Sequence, residues 1–136
     1  MTDTRLYIVF RADLPEMTRA KGEVQAAHAA GSLIFKHALR GARGMNELAE
    51  WMGGMFAVIK PNAEIDSAQP KVVMEVDDLP ALLKVRDRAF KRSVVAVVVK
   101  DAAHTVFSEP TITCVAFGPC SKTDGNAITR GARMRV

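Results

Sequence analysis

The chain has 136 residues, 49% hydrophobic and 25% charged, a balance that suits one globular domain with its own core rather than a disordered chain. No apolar run is long enough to span a bilayer, and the short apolar part of Met1–Arg11 is flanked by charges rather than built as a signal peptide, so the sequence predicts a cytoplasmic protein off the membrane. The formal net charge of +4 favours a polyanionic partner, while a single Trp and a single Tyr exclude a broad base-stacking sheet.

Arg5–Arg11 is a β-branched and aromatic run and reads as a buried strand. Thr18 is placed to cap a helix running to about Arg40. On that helix Lys21, Gln25, His28 and Ser32 fall within a sector of about 60°. Ala20, Val24, Ala27, Gly31, Ile34 and Ala38 form a second line, spaced as a core-facing stripe. A cation, an amide and an imidazole on one rigid element can meet a ligand together; the bland alternative is a solvated helix flank. Gly41 and Gly44 punctuate, and Asn46 caps a second helix through Trp51, stopped at Gly53-Gly54.

Met55–Ile59 is apolar and Pro61–Pro70 reads as an exposed loop. Lys71–Val76 is a second strand. Asp77 or Asp78 caps a third helix that accepts Pro80 in its first turn, with Leu79, Leu82, Leu83, Arg86 and Phe90 on its apolar face. The near-continuous apolar run Ser93–Val99 predicts a strand covered on both faces. Thr111–Phe117 is a fourth strand, ended by Gly118-Pro119, and residues 120–136 hold a short turn or helix and a basic tail. Strands alternating with helices imply an α/β layer with a mostly parallel sheet and one antiparallel strand. Ligands of such sheets gather at the carboxyl ends of strands, where Arg11, Asp13, Asp101 and the start of the Lys21 helix lie.

Lys100-Asp101-Ala-Ala-His104-Thr105 passes from a strand straight into a polar loop. Asp101 can orient a lysine or activate a hydroxyl or water, and Thr105 and Thr113 can hold a carbonyl or a water. The ordinary alternative gives Asp101 an Asx-type turn to the backbone near residue 103 and leaves Thr113 a plain strand residue. Cys114 and Cys120 form no CxxC pair and read as reduced thiols. His28, His37 and His104 lack metal-ligand spacing, and no GxSxG, GxGxxG or P-loop occurs, so neither metal nor cofactor is expected. Cations cluster: Arg19, Lys21, Lys36, Arg40 and Arg43 on or after the first helix, Lys84 to Arg92 on the third, and Arg130, Arg133 and Arg135 at the end.

Met17-Thr-Arg-Ala-Lys21-Gly-Glu-Val-Gln25-Ala-Ala-His28-Ala29 resembles the first signature of the archaeal and eukaryotic type of peptidyl-tRNA hydrolase, which keeps this lysine, glutamine and histidine spacing. Gln69–Val76 is similar to that family's second strand. Lys100–Thr105, Thr113 and Ala116-Phe-Gly118-Pro119 are similar to its second signature, in the same order. The resemblance implies a three-layer α/β/α sandwich around a four-stranded mixed sheet, a homodimer, and hydrolysis of the ester joining a nascent peptide to the tRNA 3′ ribose. It implies catalytic roles for Lys21, Asp101, Thr105 and Thr113, and substrate contacts from Gln25 and His28. The cation Arg19 beside them is a further candidate for binding substrate. Asp101 would orient or activate a water, positioned by Thr105 or Thr113, and Lys21 would bind phosphate or stabilise charge at the ester carbonyl. The basic surface would hold the acceptor stem of tRNA by its phosphates. Gly22 and Ala103 depart from the family pattern, which usually has an apolar helix former and a glycine there. Residues 52–68 read as an insertion within a single domain spanning 1–136. The competing readings are a non-catalytic binding or regulatory module of the same fold, in which Lys21 and Asp101 merely neutralise each other, and an enzyme acting on another small anionic substrate.

Overall fold

The computed structural model describes residues 3–53, 69–103 and 107–136. The expected insertion therefore lies almost wholly outside the described residues, as do His104 and Thr105.

Strand β1 (Thr4–Arg11) explains its own unbroken apolar run. Leu6, Ile8 and Phe10 enter one core cluster, while Tyr7 and Val9 enter another on the opposite face of the sheet. Helices α1 (Arg19–Ala38) and α2 (Ala42–Trp51) cover the first face through Ala29, Leu33, Leu48 and Trp51. Helices α3 (Leu79–Lys91) and α4 (Lys122–Ile128) cover the second through Leu82, Val85, Ala89 and Ile128. The result is three layers, α/β/α, with a strand buried on both sides at the centre.

The remaining strands are β2 (Lys71–Val76), β3 (Ala96–Asp101), β4 (Thr111–Ser121) and β5 (Arg133–Met134), in the sheet order β3-β4-β1-β2-β5. Among the described residues only β1 and β2 pair in parallel; β4 is antiparallel to both β1 and β3, and β5 to β2, so the sheet is mixed rather than mostly parallel with one antiparallel strand. The expected four-stranded sheet thus has a fifth strand. Its two residues are too few to show a period-two pattern in sequence, and its attachment is polar, with Arg133 reaching Glu75 at 3.1 Å and Asp77 at 2.7 Å. Strands β1, β2 and β3 run the same way, so their carboxyl ends, the start of β4 and the start of α1 meet at one end of the molecule.

Three of the described helices take side-chain caps, whereas α2 begins after Gly41 with no side-chain cap and the expected cap Asn46 lies inside it. Thr18 accepts from the Lys21 N–H, Asp78 from Ala81 and Ser121 from Asp124. Three expected faces are corrected. On α1 the buried line is Gly22, Gln25, Ala29, Leu33 and His37, whereas Val24 is 49% exposed. The helix is so rich in small residues that the inward side is set by which polar side chains find partners: Gln25 among Asp101 and Thr113, and His37 through Nε2 to the Gly118 carbonyl at 2.6 Å. On α3 the buried line is Leu82, Val85 and Ala89, and Phe90 is 84% exposed. Strand β3 is an edge strand rather than a doubly covered one, and Val98 faces solvent. Strand β4 also continues through a cis Gly118-Pro119 bond to Ser121, so Cys120 lies in the strand.

Two close contacts tie the layers. The Tyr7 and Phe117 rings stack at 4.9 Å, and Gly125 of α4 sits where any Cβ would fall within the Tyr7 ring. The Trp51 indole N–H donates to the Pro70 carbonyl at 3.0 Å, which also accepts the Leu6 N–H at 3.1 Å.

Candidate active site

Asp101 is the last residue of β3 and its side chain is almost fully buried. The Lys21 ammonium, from the first turn of α1, lies 2.7 Å from Asp101 Oδ2. Gln25, one turn further along the same face, donates its amide N–H to that same oxygen at 3.0 Å. The other carboxylate oxygen, Oδ1, accepts the Ala103 N–H at 2.8 Å. The Asx-type turn expected at Asp101 is therefore present, and it coexists with the lysine contact. It holds Ala103 at a φ of 66°, a left-handed conformation that favours glycine.

The network continues into β4. The Thr113 hydroxyl donates to Gln25 Oε1 at 2.8 Å, and Thr113 itself has no exposed surface. A carboxylate only accepts, so Gln25 must turn its NH2 to Asp101 and its oxygen to Thr113. Hydrogen-bond direction is thereby fixed from Thr113 through Gln25 to Asp101. The Lys21 ammonium beside Asp101 holds its carboxyl below the usual carboxylate range, against the opposing effect of burial, and the Ala103 N–H and Gln25 help. Asp101 is an anion at neutral pH and Lys21 is its cation.

Lys21, Gln25, His28 and Ser32, the polar line of α1, all border one cleft of about 670 Å³ between this helix and the end of β3, with Lys100 and Asp101 opposite. The cleft thus joins the two constellations singled out in the sequence. His28 is exposed on its wall. Arg19 is not brought in: it lies on the other flank of α1, 3.5 Å from Glu23, and borders a different cleft with Phe10, Met17 and Arg135. Thr105 lies outside the described residues. Sequence reasoning missed Phe107, a buried ring 5.9 Å from the Lys21 ammonium, and no local pattern marks it. Cys114 neighbours Thr113, but burial pushes its thiol up to about 12, so it is no thiolate nucleophile.

What this arrangement offers is a cation held at a fixed point by a buried, three-fold bonded carboxylate, at the mouth of an open cleft. Such a cation stabilises negative charge developing on a substrate oxygen without reorganising during the reaction.

The sequence and the fold have counterparts. The sequence profile described as Peptidyl-tRNA hydrolase PTH2 matches residues 4–134. A peptidyl-tRNA hydrolase of Sulfolobus acidocaldarius is 31% identical over 85% of this chain and 86% of its own length. Those of Haloquadratum walsbyi, 31% identical over 90% of this chain and 91% of its own, and of Sulfurisphaera tokodaii, 32% identical over 85% of each, are similar. A solved structure of a protein of unknown function from Agrobacterium tumefaciens shares the fold, with a TM-score of 0.64 over the whole of both chains at 19% identity.

Proposed function

The chain belongs to the peptidyl-tRNA hydrolase PTH2 family, and from that premise we propose that it hydrolyses the ester between a peptide and the 3′ ribose of tRNA, releasing both. The observation that carries this reading is the Lys21–Asp101 contact of 2.7 Å at the wall of the cleft. Lys21 stabilises the negative charge that develops on the ester carbonyl oxygen as water adds. Asp101, ionised and a weak proton acceptor, holds Lys21 in place and orients the water rather than serving as a strong base. Gln25 and Thr113 keep the carboxylate from turning. His28 contacts substrate from the cleft wall, and Thr105 positions the water with Asp101. Arg19, on the far flank of α1, contributes to the positive field that draws in tRNA.

We take residues 1–136 as one domain of this family, with 52–68 as an insertion. No helix among the described residues is long and apolar enough to cross a membrane, and the substrate arises in the cytoplasm, where we place the protein. A homodimer is supported by large apolar side chains left in solvent, among them Phe35 and Leu39 at the end of α1.

A second reading keeps one observation in its favour: Lys21 is already neutralised by Asp101, as a non-catalytic binding module would have it. Release of tRNA from purified peptidyl-tRNA decides between them. Wild type should turn over, and Lys21→Ala and Asp101→Asn should each lose on the order of 100-fold or more. A folded wild type without turnover removes the hydrolase reading.

A further inference from the structure

A second cleft, about 870 Å³, borders the first. It wraps the open edge of β3, between the end of α1 on one layer and the end of α3 on the other, and is lined by Lys36, Arg40, Arg86, Phe90 and residues 93–98. Val98 lines both clefts, so they form one groove along the strand edge, from the Lys21–Asp101 pair to Phe90. Along α1 the groove extends from Lys21 to Lys36, which at helical rise is about 22 Å, the reach of a few extended nucleotides.

The lining is cationic. Lys21, Lys36, Arg40, Arg86 and Lys100 border the groove, against Asp101 as the carboxylate among its lining residues. At its far end stands Phe90, the most exposed aromatic ring among the described residues, on a helix that buries Leu82, Val85 and Ala89. Cations tracking a backbone beside an exposed ring are the features that hold single-stranded nucleic acid. An open strand edge also invites an extended peptide as an added strand, but here the edge is guarded: the Lys36 ammonium donates to the outward carbonyl of Ala96 at 2.7 Å.

We infer that this groove holds the unpaired CCA end of the tRNA, with its terminal ribose ester at Lys21 and Asp101, its phosphates along Lys36, Arg40 and Arg86, and one base stacked on Phe90. The inference rests on the peptidyl-tRNA reading and gives it a direction: tRNA leaves the site along β3 toward α3, and the peptide departs on another side.

The test is direct binding, without turnover. An acceptor-stem minihelix carrying a fluorescent label and an unpaired CCA end is titrated against wild type, Phe90→Ala, Lys36→Gln and Arg86→Gln, beside the same minihelix lacking CCA. Phe90 and Arg86 are exposed, so these variants leave the core intact, and thermal melting checks it. Wild type should prefer the CCA-bearing helix. Phe90→Ala should weaken that helix roughly 5- to 100-fold, the range supplied by one base stacked on a ring, and erase the preference. Lys36→Gln and Arg86→Gln should each lower the slope of log affinity against log salt by about 0.7. Unchanged affinity and preference in Phe90→Ala overturn the assignment. So does competition for the groove by a short extended valine-rich peptide that the minihelix fails to displace, which would make the edge a strand-addition site. If wild type cleaves peptidyl-tRNA while Phe90→Ala retains its KM, the groove assignment fails and the hydrolase reading stands. If wild type binds the minihelix through Phe90 without cleaving peptidyl-tRNA, the reverse holds.

Discussion

The Thr113 hydroxyl donates to the Gln25 amide oxygen at 2.8 Å, completing the amide whose NH2 end the Asp101 carboxylate claims. A residue from β4 with no exposed surface thus braces the amide that bonds the carboxylate holding Lys21. Thr113→Val keeps the shape and removes the donor. Gln25 Oε1 is then buried without its partner, at a cost of about 1–3 kcal/mol in urea unfolding. Catalysis should fall with kcat while KM stays nearly constant. A variant of unchanged stability and kcat would show that the relay carries no load.

Asp101 sets an acid limit on stability. Its carboxyl is held below the ordinary range, first by the Lys21 ammonium, so the folded state binds the proton less readily than the unfolded chain. The stabilisation is complete above the unfolded value, about 4, and is lost as pH falls through the lower folded value. The difference in unfolding free energy between wild type and Asp101→Asn, measured from neutral pH downward, should therefore shrink below about pH 4. A difference independent of pH would mean that Asp101 titrates alike in both states.

Ala103 takes up a conformation natural to glycine in order to give its N–H to Asp101. Ala103→Gly should remove that strain, offset in part by the freer unfolded chain, for a net gain of up to about 1 kcal/mol in urea unfolding. The Asp101 contact survives, so turnover should be preserved. A loss of stability would show that the turn tolerates alanine without strain.

The close seat of α4 on the sheet gives a prediction away from the site. Gly125→Ala drives a methyl into the Tyr7 ring, which is itself held flat against Phe117. Overpacking there should cost about 1–3 kcal/mol, or more if the stack cannot shift. Combining it with Tyr7→Leu should recover part of the loss, a coupling that a double-mutant cycle reads directly.

Two of the three side-chain caps and four residues that border the cleft could be read from the chain because each rests on local chemistry: Thr18 and Asp78 as caps, and the spacing of Lys21, Gln25, His28 and Ser32. What spacing could not say is which side of α1 turns inward. Gln25 belongs both to the polar line and to the core, and its burial depends on Thr113, 88 residues away. Likewise the valines of β3 resemble those of a central strand, and only the sheet order exposes Val98. Phe107 meets Lys21 through a loop that carries no pattern. Each miss is a case in which distant pairing, not local preference, decided the outcome.

The bond from Trp51 to the Pro70 carbonyl has a further consequence. It joins the last helical residue before the 52–68 segment to the residue that leads into β2, and the same carbonyl is anchored to Leu6 of the central strand. Departure and return therefore share one fixed doorway. The indole N–H thus works as a latch between the helical layer and the sheet, holding the chain on either side of residues 54–68 to the central strand through one carbonyl oxygen.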